Sequence, residues 1–258
     1  MKWLVRLGVI LLSIIGGMWA MPVLKVSSGD NVSSSIRYVA LGDSIAHGYG
    51  LGNPEKDSYV GQVKQYLEEN YDYVFAENFG TNGMRSDELL DILTNPENDM
   101  YNKYHATLQH ADIVTISIGS NDLMHLIKLD MDMKEYIEKG DAMFRGACRR
   151  FDENFPRIIA AIREIVPDAK ICADNVYNPC NGLKEFKDLH ALAERYINLL
   201  NQTFTENNGY TLVDIKSEFD KSEDKLVNMA LKGKEIDPHP NKKGHALIGK
   251  IVIKAIAD

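Results

Sequence analysis

Short apolar runs alternate with helical stripes from residue 36 to the end of the chain. Five runs are rich in β-branched or aromatic residues, which is typical of buried strands: 36–41, 73–77, 112–118, 170–173 and 211–215. Apolar residues at helical spacing predict helices within 59–67, 144–165, 183–204 and 247–255. We expect Pro156 to kink or divide the second of these helices and Pro167 to end it.

Alternating strands and helices predict βαβ units, and therefore a parallel sheet with helices on both faces. The chain shows neither an internal repeat nor a second linker. We therefore expect one α/β domain over residues 36–258, built as a three-layer α/β/α sandwich with about five strands. The stretch 124–141 lacks a clear pattern, and we interpret it as a loop or lid beside the site.

The first 35 residues differ from the rest. Lys2 and Arg6 precede an apolar run over 7–24, as in a secretory signal. Ala20 suits the position before a cleavage site, but Met18 does not suit the position two residues earlier, and the run is long enough to approach a bilayer span. We expect a signal peptide or an N-terminal membrane anchor over 1–25, a Ser-rich linker over 26–35, and export of the remainder.

Charge and cysteine content exclude several function classes. Asp plus Glu number 37 and Lys plus Arg 29, so no basic surplus exists to bind nucleic acid. Three cysteines are too few for a disulfide scaffold. Cys172 and Cys180 are close enough in sequence to be bridged, and the alternative is that all three cysteines are buried thiols. No set of His, Cys or carboxylate residues has metal-binding spacing, so we expect no metal and no other cofactor.

Polar segments follow the first three predicted strands, and a fourth lies near the C-terminus: 42–45 (GDSI), 78–83 (NFGTNG), 119–122 (GSND) and 237–241 (DPHPN). Because ligands bind beyond the carboxyl ends of parallel strands, we expect these segments to meet at one site. Histidine is suited to take a proton from a serine hydroxyl, and a carboxylate can hold the imidazole in place. Backbone N–H groups and the Asn121 amide are suited to hold negative charge on a substrate oxygen. The set therefore indicates acyl transfer.

Two other motifs do not fit. The glycines at 48, 50 and 52 have the spacing G-x-G-x-G, which is not the dinucleotide-binding fingerprint. The sequence GDSIA is not the G-x-S-x-G elbow, because Ala46 replaces the second glycine. We interpret Asp43 as a residue that organises the turn before Ser44, and we place His245 in the last helix. His47 and His125 lie either at the pocket or on the surface.

The four polar segments resemble, in order and spacing, the four sequence blocks of the SGNH (GDSL-type) hydrolases across residues 36–258. The resemblance implies the flavodoxin-like parallel sheet of the SGNH hydrolase fold and an esterase or lipase-like activity. It also implies that Ser44 is the nucleophile and His239 the base. The implied oxyanion hole consists of Ser44, Gly83 and Asn121, with Gly80 as the alternative to Gly83.

One position departs from that family pattern. The family usually places its acid three residues before the histidine, where this chain has Ile236. Asp237 lies two residues before His239, and both precede prolines, which favour extended backbone. Since residues two apart in an extended segment face the same side, we expect Asp237 to be the acid. The alternative is that a backbone carbonyl orients His239.

The function that we expect is that of an exported serine hydrolase that cleaves carboxylic esters through an acyl-enzyme. A lysophospholipid or short-chain acyl ester is the expected substrate. One alternative is a carbohydrate esterase that removes acetyl groups from polysaccharide, and another is a non-catalytic envelope binding protein with the same fold. A buried apolar pocket would favour the first function, and an open aromatic-lined groove would favour the carbohydrate esterase.

Overall fold

The computed structural model describes residues 34–127, 140–181, 187–205, 209–228, 231–232 and 235–258. All of them belong to the compact unit Ser33–Asp258. The predicted signal or anchor, nearly all of the linker, and most of the predicted loop or lid over 124–141 lie outside the described residues. The two ends of that stretch, Met124 and Asp141, are helical.

Five strands form one parallel sheet, as the alternation predicted. They are β1 (Ser35–Gly42), β2 (Tyr73–Gly80), β3 (Ile113–Ser117), β4 (Lys170–Asp174) and β5 (Thr211–Val213). Their spatial order is β2-β1-β3-β4-β5, and each neighbouring pair is parallel. This is the strand order of the flavodoxin-like doubly wound fold, which places β1 and β3 at the point where ligands bind. The predicted fold class is confirmed.

Two strand boundaries differ from the prediction by more than one residue. The second strand continues three residues further, to Gly80, because its last residues pair with the end of the first strand. The fifth strand ends at Val213, two residues earlier than predicted. The reason is that the Asp214 side chain accepts a hydrogen bond from the Ser217 N–H and begins a helix at Ile215.

Ten helices lie in the described part of the chain. In chain order they are α1 (Ser44–His47), α2 (Pro54–Asp57), α3 (Tyr59–Asn70), α4 (Ser86–Thr94), α5 (Tyr101–Leu108), α6 (Ser120–Met124), α7 (Asp141–Ile165), α8 (Lys187–Asn201), α9 (Ile215–Lys221) and α10 (Lys242–Ala257). All four helices predicted from apolar spacing are present.

Of the two outcomes expected at Pro156, a kink or a division, the division does not occur: α7 is one continuous helix of 25 residues. Its apolar stripe runs past the proline, with Phe151 and Phe155 on one side and Ile158 and Ile162 on the other, all of them buried. Pro156 itself is exposed. Burial of the whole stripe therefore outweighs the loss of one backbone hydrogen bond on the solvent side. The helix ends at Ile165, before Pro167, as expected.

Helices cover both faces of the sheet, and alternate residues of β1 pack into separate cores. Val39 and Leu41 belong to the core under α4, α5, α7 and α8. Tyr38 and Ala40 belong to the core under α3, α9 and α10. This alternation is expected where successive side chains of a strand point to opposite faces. The first strand is therefore fixed from both sides, and its carboxyl end is a rigid support.

The remaining features bear on the site only indirectly. A short antiparallel ribbon, β6 (Leu231–Lys232) and β7 (Glu235–Ile236), leads directly into Asp237. Cys148, Cys172 and Cys180 are all buried free thiols. The helices of the described residues are all too short or too polar to cross a membrane.

Candidate active site

A glycine at the end of β1 makes possible the sharp turn that delivers Ser44. Gly42 has a φ of +132°, and a Cβ at this position would collide with the carbonyl oxygen of Ser117 on the neighbouring strand. Asp43 then donates its backbone N–H to the same Ser117 oxygen at 2.9 Å. The chain therefore leaves the sheet immediately, and Ser44 becomes the first residue of α1 with 7 % of its surface exposed.

Asp43 organises this turn, as the sequence predicted. Its Oδ1 accepts a hydrogen bond from the Ile45 N–H at 2.9 Å and caps α1. The side chain is fully buried, and this burial raises its pKa from 3.8 to about 7. The Ile45 hydrogen bond counteracts that rise, whereas the nearby Asp122 carboxylate adds to it. Asp43 is thus a buried cap directly before the serine.

His239 contacts the Ser44 hydroxyl. Its Nε2 lies 2.9 Å from Ser44 Oγ, and its Nδ1 lies 2.8 Å from Asp237 Oδ1. A carboxylate only accepts hydrogen bonds, so the Nδ1–H donates to Asp237 and Nε2 is left to accept from the serine hydroxyl. The arrangement is a serine–histidine–aspartate chain in which the histidine can take the serine proton.

Asp237, and not a backbone carbonyl, lies against Nδ1 of His239. Burial by itself would raise the pKa of Asp237, but hydrogen bonds from the His239 side chain and backbone N–H outweigh burial, and the pKa lies below its ordinary value. The His239 charge and a hydrogen bond from Asn228 act in the same direction. The Asp237 carboxylate therefore reaches the imidazole from two residues upstream.

Two residues that the sequence did not single out hold this segment. Asn228 donates its side-chain Nδ2–H to Asp237 Oδ2 at 3.1 Å and its backbone N–H to the His239 carbonyl at 2.9 Å. The Tyr177 hydroxyl donates to the Pro238 carbonyl at 2.9 Å. Neither residue lies in a motif, and no pattern in the sequence indicates either contact.

Gly83 lies in the turn after β2 and has a φ of +81°, and a Cβ there would meet no atom of the described residues within 4 Å. At the alternative, Gly80, the backbone N–H already has a hydrogen-bond partner. Its N–H donates to Asn78 Oδ1 at 2.9 Å, and a Cβ there would collide with the His47 backbone nitrogen. Packing against α1 therefore accounts for a glycine at position 80. Gly83 is the better candidate for a backbone N–H that donates to a substrate oxygen.

Asn121 lies at the start of α6 and lines the same cavity as Ser44. Its Nδ2 donates to the Met84 carbonyl at 3.1 Å and lies 3.5 Å from Asp43 Oδ2. The second contact is at the limit of a hydrogen bond, so one amide hydrogen is held only weakly. The Met84 bond also joins the turn that carries Gly83 to the start of α6.

Asp122, next to Asn121, connects two helices. Its carboxylate accepts hydrogen bonds from the Ser86 N–H at 3.0 Å and from the Ser86 hydroxyl at 2.5 Å, at the start of α4. Burial raises the pKa of Asp122, and the two bonds from Ser86 limit the rise. Its role is to fix α6 against α4, so the position of Asn121 depends on it.

An apolar cavity, which we call the acyl cleft, opens beside Ser44 and His239 and has a volume of about 240 Å³. Its apolar wall consists of Ile45, Leu123, Met124, Ile127, Phe144, Val176, Tyr177, Pro179, Cys180, Leu189, Leu192, Ala193, Tyr196, Ile197 and Pro238. Polar side chains reach the cleft mainly at Ser44, Ser120, Asn121 and His239. The reactive groups therefore lie at one end of an otherwise apolar space.

The remaining histidines do not join the site. His245 lies in α10, fully buried, where its Nδ1 accepts the Tyr59 N–H at 3.3 Å. His47 and His125 are exposed, and each bonds a backbone carbonyl through Nδ1. Within the described ranges, no group of three or more His, Cys, Asp or Glu side chains has the geometry to hold a metal ion.

Comparison with known proteins gives consistent results. A family model described as the GDSL-like Lipase/Acylhydrolase family matches residues 40–247. The chain is 28 % identical over 221 residues to the uncharacterized protein YpmR of Bacillus subtilis, covering 84 % of this chain and 80 % of that protein. It is 26 % identical over 173 residues to the spore germination lipase LipC of Bacillus licheniformis, covering 65 % and 73 %. Among solved structures, the lipase Lip_vut3 from a goat rumen metagenome aligns with a TM-score of 0.64 and 23 % identity, covering 85 % of this chain and 97 % of that one.

Proposed function

The chain belongs to the GDSL-like lipase/acylhydrolase family, and we propose that it hydrolyses carboxylic esters through an acyl-enzyme formed on Ser44. The observation that carries this proposal is the continuous hydrogen-bonded chain from Ser44 Oγ through His239 to Asp237, at 2.9 and 2.8 Å. These distances are within the range required of a nucleophile, a base and the group that orients the base.

In the first half-reaction, Ser44 Oγ attacks the ester carbonyl carbon while His239 Nε2 takes the hydroxyl proton. The Asp237 carboxylate stabilises the imidazolium that results. Negative charge then develops on the carbonyl oxygen, where the Ser44 and Gly83 backbone N–H groups and the Asn121 amide are the proposed donors. The tetrahedral intermediate collapses, the alcohol leaves, and the imidazolium supplies the proton to the departing oxygen.

In the second half-reaction, water takes the place of the alcohol. His239 removes a proton from the water as it attacks the acyl carbon, and the imidazolium returns that proton to Ser44 Oγ when the carboxylic acid leaves. The same three side chains act in both halves, so no cofactor is needed for the atoms and protons to balance.

The acyl cleft supports a substrate with a hydrocarbon acyl chain. The cleft has a volume of about 240 Å³ and an apolar wall, so it has room for several methylene groups beyond the ester carbonyl. Each methylene that leaves water contributes about 0.8 kcal/mol to binding. An acetyl group would leave most of the cleft unfilled, so we favour a lysophospholipid or another acyl ester over an acetylated polysaccharide.

We also propose that the protein is exported. The proposal rests on Lys2, Arg6 and the apolar run over 7–24. Mass spectrometry of the mature protein would distinguish two forms: an intact N-terminus indicates an anchor, and a start near residue 21 indicates a cleaved signal.

The direct test compares the purified wild-type chain with Ser44→Ala on p-nitrophenyl acetate, butyrate and octanoate. We expect hydrolysis to vanish in the variant and the wild type to prefer butyrate or octanoate. Ser35→Ala is the matched control, since Ser35 is exposed and begins β1, at the end of that strand away from Ser44. A strong preference for acetate would favour the carbohydrate esterase. Absence of turnover together with absence of fluorophosphonate labelling at Ser44 would leave the non-catalytic binding protein.

A further inference from the structure

The Tyr49 side chain lies against the His239 imidazole. The two ring centroids are 4.5 Å apart and the ring planes are inclined by 43°. Tyr49 is held in place from its backbone, whose N–H donates to the Ser44 carbonyl at 3.0 Å. Glycines with positive φ flank it, Gly48 at +79° and Gly50 at +81°. The turn after α1 therefore carries an aromatic ring from the serine side of the site to the histidine.

The ring does not occupy the acyl cleft. His239 and Pro238 line the cleft and Tyr49 does not, and 46 % of the Tyr49 surface is exposed. A half-exposed tyrosine contributes little to the core, so packing of the fold gives no reason for its position. Its contact with the imidazole therefore points to a role at the site.

Hydrogen bonds occupy both nitrogens of the His239 ring, and Tyr49 contacts the ring itself. Asp237 Oδ1 occupies Nδ1 and Ser44 Oγ occupies Nε2. Tyr177 approaches the preceding residue through its hydroxyl, and His245 on α10 bonds the Tyr59 N–H instead of the imidazole. Both edges of the imidazole are thus taken by hydrogen bonds, and an aromatic ring at 4.5 Å is within the range of a cation–π interaction.

We propose that Tyr49 is a positioning residue that stabilises the imidazolium form of His239 during ester hydrolysis. This inference rests on the proposed function. When Ser44 Oγ bonds to the carbonyl carbon, its proton moves to His239 Nε2 and the imidazole becomes a cation. The negative face of the tyrosine ring attracts that cation, and the attraction lasts until the proton passes to the leaving alkoxide oxygen. Tyr49 also keeps the imidazole between Ser44 and Asp237.

The ring of Tyr49 and its hydroxyl can be tested separately. A phenylalanine keeps the π face, whereas a leucine fills similar space without one. The same attraction acts on the free enzyme, where it favours the protonated histidine that cannot act as a base. Loss of the ring therefore changes two quantities together: the plateau of kcat/KM falls, and the acidic limb of its pH profile moves to lower pH.

The experiment measures kcat/KM for p-nitrophenyl butyrate against pH in the full chain and in Tyr49→Leu, Tyr49→Phe and Tyr73→Leu. We expect Tyr49→Leu to lower the plateau about 2- to 5-fold and to move the acidic limb down by about 0.4 to 0.7 pH units. Tyr49→Phe should restore both quantities. Tyr73→Leu is the matched control, because Tyr73 is 60 % exposed and lies at the far end of the sheet.

The outcomes distinguish this inference from the proposed function. If Ser44→Ala retains activity, the proposed function fails and the inference about Tyr49 fails with it. If Ser44→Ala is inactive and Tyr49→Leu lowers the plateau with the acidic limb unmoved, Tyr49 has only a steric role and the inference is wrong. Failure of Tyr49→Phe to restore the wild-type profile would also overturn it, since the hydroxyl would then be the group that matters.

Discussion

The serine and the histidine of the site are held in different ways. Ser44 follows the sheet without a gap: Gly42 pairs with both neighbouring strands, and backbone bonds fix the next residue. His239 lies between a two-residue strand and α10 and is 21 % exposed at its side chain. The serine is thus positioned by the main chain of the sheet. The histidine lies outside the sheet, where a backbone bond from Asn228 and the side chains of Asp237 and Tyr177 hold its segment.

This difference predicts different consequences of substitution. A change that alters the backbone at the serine disturbs the sheet itself, so it acts first on stability. A change among the side chains around the histidine leaves the sheet intact, so it acts first on the rate. Measuring the rate and the stability of the same variant therefore separates the two sides of the site.

The largest effect is expected on the histidine side, from Asp237→Asn. The amide cannot stabilise the imidazolium by charge, and it can force the imidazole into the wrong tautomer by donating to Nδ1. We expect kcat for p-nitrophenyl butyrate to fall by roughly 10³- to 10⁴-fold with little change in the thermal unfolding temperature. Steady-state kinetics and calorimetry on the same preparations measure both.

Asp224→Asn is the control for that change, because Asp224 is an exposed aspartate that pairs with Lys243 at the start of α10. It should retain the wild-type rate. If Asp237→Asn lost less than about tenfold in kcat, the carboxylate would not be the group that supports the histidine. A large loss of thermal stability in Asp237→Asn would contradict the separation of rate from stability.

On the serine side, Gly42→Ala should act on stability. The new Cβ would collide with the Ser117 carbonyl oxygen. In addition, Gly42 has a φ of +132°, which residues other than glycine rarely adopt. We expect the free energy of unfolding, measured by urea denaturation, to fall by about 3 kcal/mol or more. Gly52→Ala is matched to it, since no atom of the described residues lies within 4 Å of the added carbon, and should change stability by less than about 0.5 kcal/mol. If the Gly42→Ala protein were active and as stable as wild type, the position of the serine would not depend on the backbone conformation at Gly42.

The same contrast explains what the sequence could predict. The strands and the turn at Ser44 have local signals, namely β-branched runs and a glycine before the serine, so the fold class and the meeting of Ser44 with His239 were accessible. Asn228, Tyr177 and Tyr49 were not, because each lies outside the motifs and acts through a contact that depends on how the chain folds. Whether α7 continues past Pro156 was left open for a related reason, since the burial of Phe151 and Ile158, which outweighs local propensity, is known only from the fold.

A buried ionisable group on each side has a shifted pKa, and the two shifts change stability with pH in opposite directions. Asp43, on the serine side, has a pKa raised from 3.8 to about 7 by burial, so the folded state binds its proton first and gains stability as the pH falls from 7 towards 4. His245, on the helix after His239, has a pKa lowered from 6.5 to about 4 by burial and by the His239 charge. Its contribution is present above pH 6.5 and is lost as the pH falls towards 4, because the unfolded chain binds the proton first.

The smallest effect expected is the pH dependence of His245→Gln. Glutamine can accept the Tyr59 N–H but does not titrate, so the variant lacks the acid-sensitive contribution of the histidine. We expect its deficit in unfolding free energy relative to wild type to shrink by about 2 kcal/mol between about pH 7 and pH 5. Asp43 titrates in both proteins and cancels from this difference. The exposed His110→Gln is the control. A deficit that is equal at both pH values would show that the buried histidine does not make the histidine side acid-sensitive, and the two sides would then differ in geometry alone.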